Sequence, residues 1–216
     1  MGIGVEKNVE KAVELYMRAA ALGNCRAMCC LAVCYDNGEG VEKSAEKALE
    51  WYTRAAEKGY ATAMFNLGVC YKDGNGVEKS AEKAVEWWTR AAEKGDAVAV
   101  CNLGMCYDKG IGVEKSAEKA VEWFKRAAEK GYATAMNNLG SCYLDGTGVE
   151  KSAEKAVEWF MRAAELGDAT AMCSLGICFE LGSGVELNAE KAVEWYTRAA
   201  EKGDAQAMNN LAVCYE

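Results

Sequence analysis

The chain has 216 residues, a formal net charge of −8 and neither histidine nor proline. The negative charge opposes the attraction to phosphate backbones on which nucleic-acid binding depends, so we expect no nucleic-acid partner. No stretch approaches the roughly 18 apolar residues of a membrane span, and the opening residues MGIGVEKN lack the apolar core of a secretory signal. We therefore expect no membrane segment and a cytoplasmic or other reducing intracellular location.

One sequence block, GVEKSAEKAVEW with small changes, recurs every 36 residues along the chain. A period of this length is typical of helical repeats, and the chain lacks the alternating β-branched runs of propeller blades. The period predicts a single repeat domain, 1–216, of six units: 4–39, 40–75, 76–111, 112–147, 148–183 and 184–216. These units begin at Gly4, Gly40, Gly76, Gly112, Gly148 and Gly184.

Each unit contains the signals for two helices, and the second unit shows them clearly. Ser44 is a good N-cap for a first helix, and Gly59 can adopt the left-handed conformation that ends it. A second helix is expected from about Ala61 to Lys72, before Gly74 and Gly76. The equivalent caps are Asn8, Ser80, Ser116, Ser152 and Asn188, and the equivalent terminating glycines are Gly23, Gly95, Gly131, Gly167 and Gly203.

The first helix has an unusually wide apolar arc, roughly 160° at about 100° per residue. On the second helix Gly68 leaves room for a neighbouring helix, a role that Ala32 and Ala212 take in the end units. Such hairpins cannot bury their apolar surface singly, but stacked copies can. The predicted fold is all-α: a right-handed α-solenoid superhelix of about twelve helices with a concave face. The predicted apolar arc comprises Ala48, Leu49, Trp51, Tyr52, Ala55 and Ala56.

The eleven cysteines are predicted to be free thiols. Stacked neighbours at one repeat position should lie about 10 Å apart, the spacing of packed helices, whereas a disulfide requires Cα atoms within about 7 Å. Small buried thiols in a reducing compartment are therefore expected. The six cysteines that share one repeat position are Cys34, Cys70, Cys106, Cys142, Cys178 and Cys214.

A second group of cysteines raises the possibility of a metal site. Cys25, Cys29, Cys30 and Cys34 provide four thiols, the number that zinc often takes. On one helix they point near 0°, about 40°, about 140° and about 180°, so they cannot converge on one ion. The glycine loops lack the spacing of nucleotide-binding motifs, and paired carboxylates such as Glu46 and Glu50 fit a solvated face. We expect no enzyme, no metal and no cofactor.

The segment AVEWYTRAAEKGDA..AM..LG.CY..G.GVEKS resembles the Sel1-like repeat, a relative of the tetratricopeptide repeat, and the match recurs over essentially the whole chain. The resemblance implies that family members act as adaptors that assemble protein complexes, and that the first helix of each unit lines the concave side. The signature packing positions that it implies are Ala48, Trp51, Ala55, Ala56, Gly59, Ala63, Leu67, Gly68, Tyr71, Gly74, Gly76 and Val77.

On this reading the floor of the groove is mostly acidic, and we expect a protein or peptide partner there, including segments rich in Lys or Arg. The position of Thr53 varies most among the units; it either encodes selectivity or drifts as exposed positions do. The predicted binding residues are Glu50, Thr53, Arg54, Glu57, Glu86, Thr89, Arg90, Glu122, Lys125, Arg126, Glu158, Met161 and Arg162.

The two ends of the chain suggest an alternative function. The chain stops at Glu216 inside a helix and starts with a loop, so both ends lack the polar capping repeat of a solenoid. We expect homotypic end-to-end association, or else a piece of a longer array or an engineered consensus-like scaffold. The alternative to a protein-binding adaptor is thus a structural or self-associating array.

Overall fold

The computed structural model describes residues 6–216, which form twelve α-helices and no strand. The predicted all-α class and number of helices are confirmed for this part of the chain, while the predicted start of the first unit, Gly4, lies outside it. The helices are α1 Val9–Ala21, α2 Cys25–Asn37, α3 Ala45–Glu57, α4 Ala61–Asp73, α5 Ala81–Glu93, α6 Ala97–Lys109, α7 Ala117–Glu129, α8 Ala133–Asp145, α9 Ala153–Glu165, α10 Ala169–Leu181, α11 Ala189–Glu201 and α12 Ala205–Cys214.

The first helix of each hairpin begins and ends at the predicted residues. Ser44 accepts a hydrogen bond from the Lys47 backbone N–H at 3.2 Å, which satisfies one of the free donors of the first turn. The other five predicted caps accept in the same way. Gly59, with φ 86°, follows the last turn of α3. These contacts confirm the predicted ends of the first helices.

The second helices have more varied starts and uniform ends. Asp96 caps α6 through its side chain, whereas Tyr60 and Tyr132 precede α4 and α8 without a side-chain cap. The left-handed Gly74 then ends α4, as predicted. At Gly76, with φ 69°, a Cβ atom would lie 2.4 Å from the Ala45 carbonyl oxygen, so both conformation and space require glycine there.

The chain divides into two compact units. The first comprises the residues up to Cys106 together with Gly110–Glu114, and the second comprises Tyr107–Lys109 and Lys115–Glu216. Within the first unit α1 packs on α2, α2 on α3, α3 on α4 and α4 on α5. Within the second, each helix from α7 to α12 packs on the next, and α10 also contacts α8 and α12. Organisation as a single repeat domain of six units stays a prediction.

The core of each helical hairpin is built from the small and aromatic residues of the repeat. Ala55 is fully buried, and Tyr52 is 4% exposed. Leu49 and Trp51 remain half-buried, although the apolar arc of α3 includes them. In α3 the core therefore draws on a narrower arc than the sequence pattern indicates, whereas Val85, Val121 and Val157 at the Leu49 position are buried.

Gly68 lies where the next first helix approaches most closely, as predicted. A Cβ atom on Gly68 would lie 2.4 Å from Nε1 of Trp88, and that indole nitrogen donates to the Phe65 carbonyl oxygen at 3.2 Å. Ala32 is fully buried at the equivalent position, but Ala212 is exposed. The expectation for Ala212 is wrong because no helix within residues 6–216 covers that side of α12.

Candidate protein-binding surface

The predicted binding residues lie on α3 and α5 in the first unit and on α7 and α9 in the second. We call their exposed sides the first-helix face, defined by the thirteen residues predicted to bind a partner. Ten of these residues are exposed, and three, Thr53, Thr89 and Met161, are half-buried. The face therefore offers mainly charged side chains to solvent.

The threonines of the variable position are engaged by their own helices. The Thr53 hydroxyl donates to the Leu49 carbonyl oxygen, and the Thr89 hydroxyl donates to the Val85 carbonyl oxygen, each at 2.8 Å. This back-bonding one turn away is common for threonine within helices. Among the variable positions of the face, Lys125 alone is exposed, and its side chain is charged.

The feature that sequence reasoning missed is a stack of arginine on tryptophan in five of the first helices. The Arg126 guanidinium lies 4.2 Å from the centre of the Trp123 ring, a cation–π geometry. Trp123 is half-buried and forms part of this surface. The signal was the Trp-x-x-Arg spacing, which places both side chains on one side of a helix. The other four stacks are Arg54 on Trp51, Arg90 on Trp87, Arg162 on Trp159 and Arg198 on Trp195.

The stacked arginines differ in whether they also form an ion pair. Arg54 stacks on Trp51 and also forms an ion pair with Glu50, one turn earlier. Among the described residues no ion pair joins the equivalent glutamates Glu86, Glu122 and Glu158 to any cation. Their carboxylates are thus exposed charges beside guanidinium groups that face tryptophan.

A second set of cations is held by aromatic rings of the preceding helix. Lys83 on α5 lies with its Nζ atom 5.3 Å from the centre of the Tyr71 ring on α4, and Lys47 stacks on Tyr35 in the same way. Equivalent contacts recur at Lys119, Lys155 and Lys191. The side chains of these lysines therefore point toward the preceding helix and not toward the glutamates of the first-helix face.

The repeated cysteine position is mostly buried. Cys70, Cys106, Cys142 and Cys178 are buried as predicted, and burial raises the pKa of each thiol to about 11. Cys34 is half-buried and Cys214 is exposed, so the prediction of burial is wrong at Cys214. No described helix packs over Cys214 at the end of α12. Protonated buried thiols act as small apolar side chains.

The positions of the side chains that could bind a metal ion, above all the cysteines of α2, can be compared with the sequence analysis. Within residues 6–216 no three His, Cys, Asp or Glu side chains come together in an arrangement that could hold a metal ion. Of the cysteines on α2, Cys29 is buried and Cys25, Cys30 and Cys34 are half-buried. Among the described helices, none has the length and apolar character that crossing a membrane requires.

Fold and surface together define the class: an all-α protein built from repeated helical hairpins with an exposed charged face. The chain belongs to the Sel1 repeat family, which confirms the resemblance seen in the sequence. The Sel1 repeat model matches residues 1–24, 25–60, 61–96, 97–132, 133–168, 169–204 and 205–216. Proteins of this family generally serve as non-enzymatic scaffolds for protein–protein interactions.

Solved structures support the same family. A Sel1 repeat protein from Oxalobacter formigenes is 38% identical, with a TM-score of 0.91 over 96% of this chain and 83% of that one. A protective antigen with an SLR fold, present in uropathogenic Escherichia coli strains, is 35% identical, with a TM-score of 0.89. The match covers 97% of this chain but 44% of the antigen. A Klebsiella pneumoniae protein, 22% identical with a TM-score of 0.58, supports the fold alone. No curated protein matches the sequence.

The family match begins at a different point of the same period. Its complete segments start at Cys25, Ala61 and each 36th residue thereafter, where the second helices begin. The family repeat thus opens with the helix placed second in the sequence analysis. That the first helices line a concave side stays a prediction.

Proposed function

We propose that this chain is a non-enzymatic scaffold or adaptor that binds a protein or peptide segment on the first-helix face. The observation that carries this proposal is the row of carboxylates without an internal partner. Glu122 lies one helical turn before Arg126, whose guanidinium stacks on Trp123 instead of pairing with the glutamate. A partner can therefore pair with Glu122 without first breaking an ion pair of the scaffold.

The chemistry of the row favours partners with Lys or Arg side chains. Glu86 belongs to the first compact unit, and Glu122 and Glu158 belong to the second. Electrostatic complementarity of this kind contributes mainly to specificity and to the rate of association. The net charge of −8 acts in the same direction by attracting basic segments.

The experiment compares two double variants of the whole chain that lose the same charge. Glu122→Gln with Glu158→Gln changes the first-helix face, whereas Glu114→Gln with Glu150→Gln changes exposed loop residues. Capture of a basic peptide library is measured at several salt concentrations. We expect the first variant to weaken capture about 3- to 10-fold, as for the loss of exposed ion pairs, and added salt to reduce the difference.

The loop variant serves as the control for net charge and should capture peptides as the native chain does. Equal weakening by both variants would show that capture depends on overall charge, which would overturn the assignment to this face. If the native chain captures no basic peptide at all, the basic partner is ruled out.

A self-associating array is the second candidate, and it rests on a different observation. Leu15 on α1 is 51% exposed, and Val213 and Tyr215 at α12 are 60% and 78% exposed. Exposed apolar side chains that lie together mark contact surfaces more often than exposed charges do. On this proposal the exposed apolar side chains contact a second copy of the chain.

A further inference from the structure

Helix α2 departs from the repeat at a position that carries chemistry. Cys34 has a cysteine equivalent in every unit, but Cys30 does not. Only α2 therefore has cysteines at both positions. The residues equivalent to Cys30 are Asn66, Asn102, Asn138, Ser174 and Asn210.

The two thiols lie on successive turns of one side of α2, within Cys25–Asn37. Residues four apart on a helix have Cβ atoms about 5–6 Å apart. Both thiols are half-buried, so they are within reach of a solute while shielded on one side. Tyr16 on α1 lies beside them, and both sulfurs raise the pKa of its hydroxyl. The negative charge of a Cys30 thiolate, more than burial, raises the pKa of Tyr16.

We propose that Cys30 and Cys34 bind one soft metal ion, Cu(I), through two sulfur atoms. Thiolates bind soft ions such as Cu(I) and zinc, and two sulfurs suit Cu(I) because a structural zinc ion takes four ligands. Two metal–sulfur bonds near 2.3 Å, the length seen for zinc thiolates, span roughly 4–5 Å between sulfurs. Rotation of the two side chains can supply this separation from their positions on successive turns. On binding, each thiol releases one proton to solvent and no electron is transferred. The Tyr16 hydroxyl donates to sulfur and stabilises the charged complex.

The other cysteines provide internal contrasts. Cys101 and Cys106 on α6 are five residues apart and both buried, so about 140° separates their directions. Cys25 and Cys29 are also four residues apart, but Cys29 is buried and accepts a hydrogen bond from Asn66 Nδ2 at 3.7 Å. Cys30 and Cys34 are thus the pair in which both sulfurs are within reach of a solute. It is separate from the first-helix face and independent of the scaffold function.

The test is an anaerobic titration of the reduced whole chain with Cu(I) in competition with a chromogenic Cu(I) chelator. We expect one tightly bound ion per chain. Cys30→Asn, which restores the repeat residue, should weaken binding by more than the roughly 10- to 100-fold typical of losing an outer-shell partner, because one of two direct ligands is lost. Cys70→Ser and Cys25→Ala should leave the affinity unchanged, and circular dichroism confirms that each variant is folded.

A second probe gives an independent readout without redox chemistry. Phenylarsine oxide condenses with two neighbouring thiols: two As–S bonds form, the As–O bond breaks and one water leaves. Mass spectrometry should show one adduct on the native chain and none on Cys30→Asn. Unchanged Cu(I) affinity in Cys30→Asn would overturn the proposal, and loss of binding in Cys25→Ala would assign the ion to the other pair and overturn it equally.

Discussion

At the scale of single residues, Asn137 on α8 is the side chain that fits its surroundings least well. It is 9% exposed, and its Oδ1 atom is buried without a hydrogen-bond donor. The equivalent residues Cys29, Cys101 and Cys173 are buried and do not need one. A buried acceptor without a partner costs about 1–3 kcal/mol, so this position lowers the stability of its hairpin.

Replacing Asn137 by the residue that other units carry should therefore stabilise the chain. We expect Asn137→Cys to raise the free energy of unfolding by about 1 kcal/mol, because the orphaned acceptor is removed and a small apolar side chain takes its place. Urea denaturation followed by circular dichroism measures the change. Asn209→Cys is the matched control, since Asn209 occupies the same repeat position on α12 but is exposed. A less stable Asn137→Cys chain with an unaffected control would contradict this account.

At the scale of helices, local signals account for most of the observed ends. Ser44 and Gly59 bracket α3 as the sequence predicts, because a cap and a left-handed glycine act within one helical turn. Tyr60 and Tyr132 provide no such cap, yet α4 and α8 begin at the same position as the capped second helices. Packing against neighbouring helices replaces the missing cap energy there.

The contact between α8 and α9 depends on the absence of a side chain at Gly140. A Cβ atom there would lie 2.6 Å from Cε1 of Phe160. We expect Gly140→Ala to lower the free energy of unfolding by about 1–3 kcal/mol, since overpacking outweighs a gain of up to about 1 kcal/mol in helix propensity. Chemical denaturation of the variant measures this loss.

A double-mutant cycle with Phe160→Leu separates the clash from other effects. The smaller side chain should recover part of the loss in the Gly140→Ala background, giving a coupling energy of about 0.5–3 kcal/mol. Additive effects, or a Gly140→Ala chain more stable than the native one, would mean that the close approach to Phe160 does not limit this position.

At the scale of the whole molecule, repetition explains how one short sequence pattern covers 216 residues. Within each compact unit the hairpins bury apolar side chains against one another, so a single period determines many equivalent contacts. Equivalent residues still differ in environment: Tyr52 and Tyr196 are 4% and 0% exposed, whereas Tyr16 is half-buried. Residues on α1 and α12 consequently leave apolar groups in contact with solvent.

Those exposed groups predict concentration-dependent association of the 216-residue chain. We expect light scattering to show a mean mass that falls toward that of one chain on dilution. A variant with both Leu15→Glu and Val213→Glu should have the mass of a single chain at every concentration. Both side chains are more than half exposed, and a charge at these positions opposes burial in a contact between chains. A native chain whose mass does not change with concentration would reject association through these groups.

On the first-helix face, the sequence predicted the position of the residues better than the pairing of their charges. The thirteen predicted residues all lie on first helices, and ten are exposed, because helical periodicity determines which side chains share a side. The stack of Arg126 on Trp123 was not predicted: Trp123 counts as a packing residue by pattern, but its ring is half-buried and the ring centre lies 4.2 Å from the guanidinium. Which cation pairs with which carboxylate depends on side-chain directions that spacing alone does not settle.

The sequence by itself determined the 36-residue period, the twelve helices, and the starts and ends of the first helices. These depend on hydrogen bonds and backbone conformations within a few residues of one another. Only the tertiary structure decided that Asn137 lacks a donor, that Trp123 stays half-buried and that Tyr16 lies beside Cys30. The reason is that burial and side-chain pairing depend on the neighbouring helix, and identical repeat positions face different neighbours along the chain.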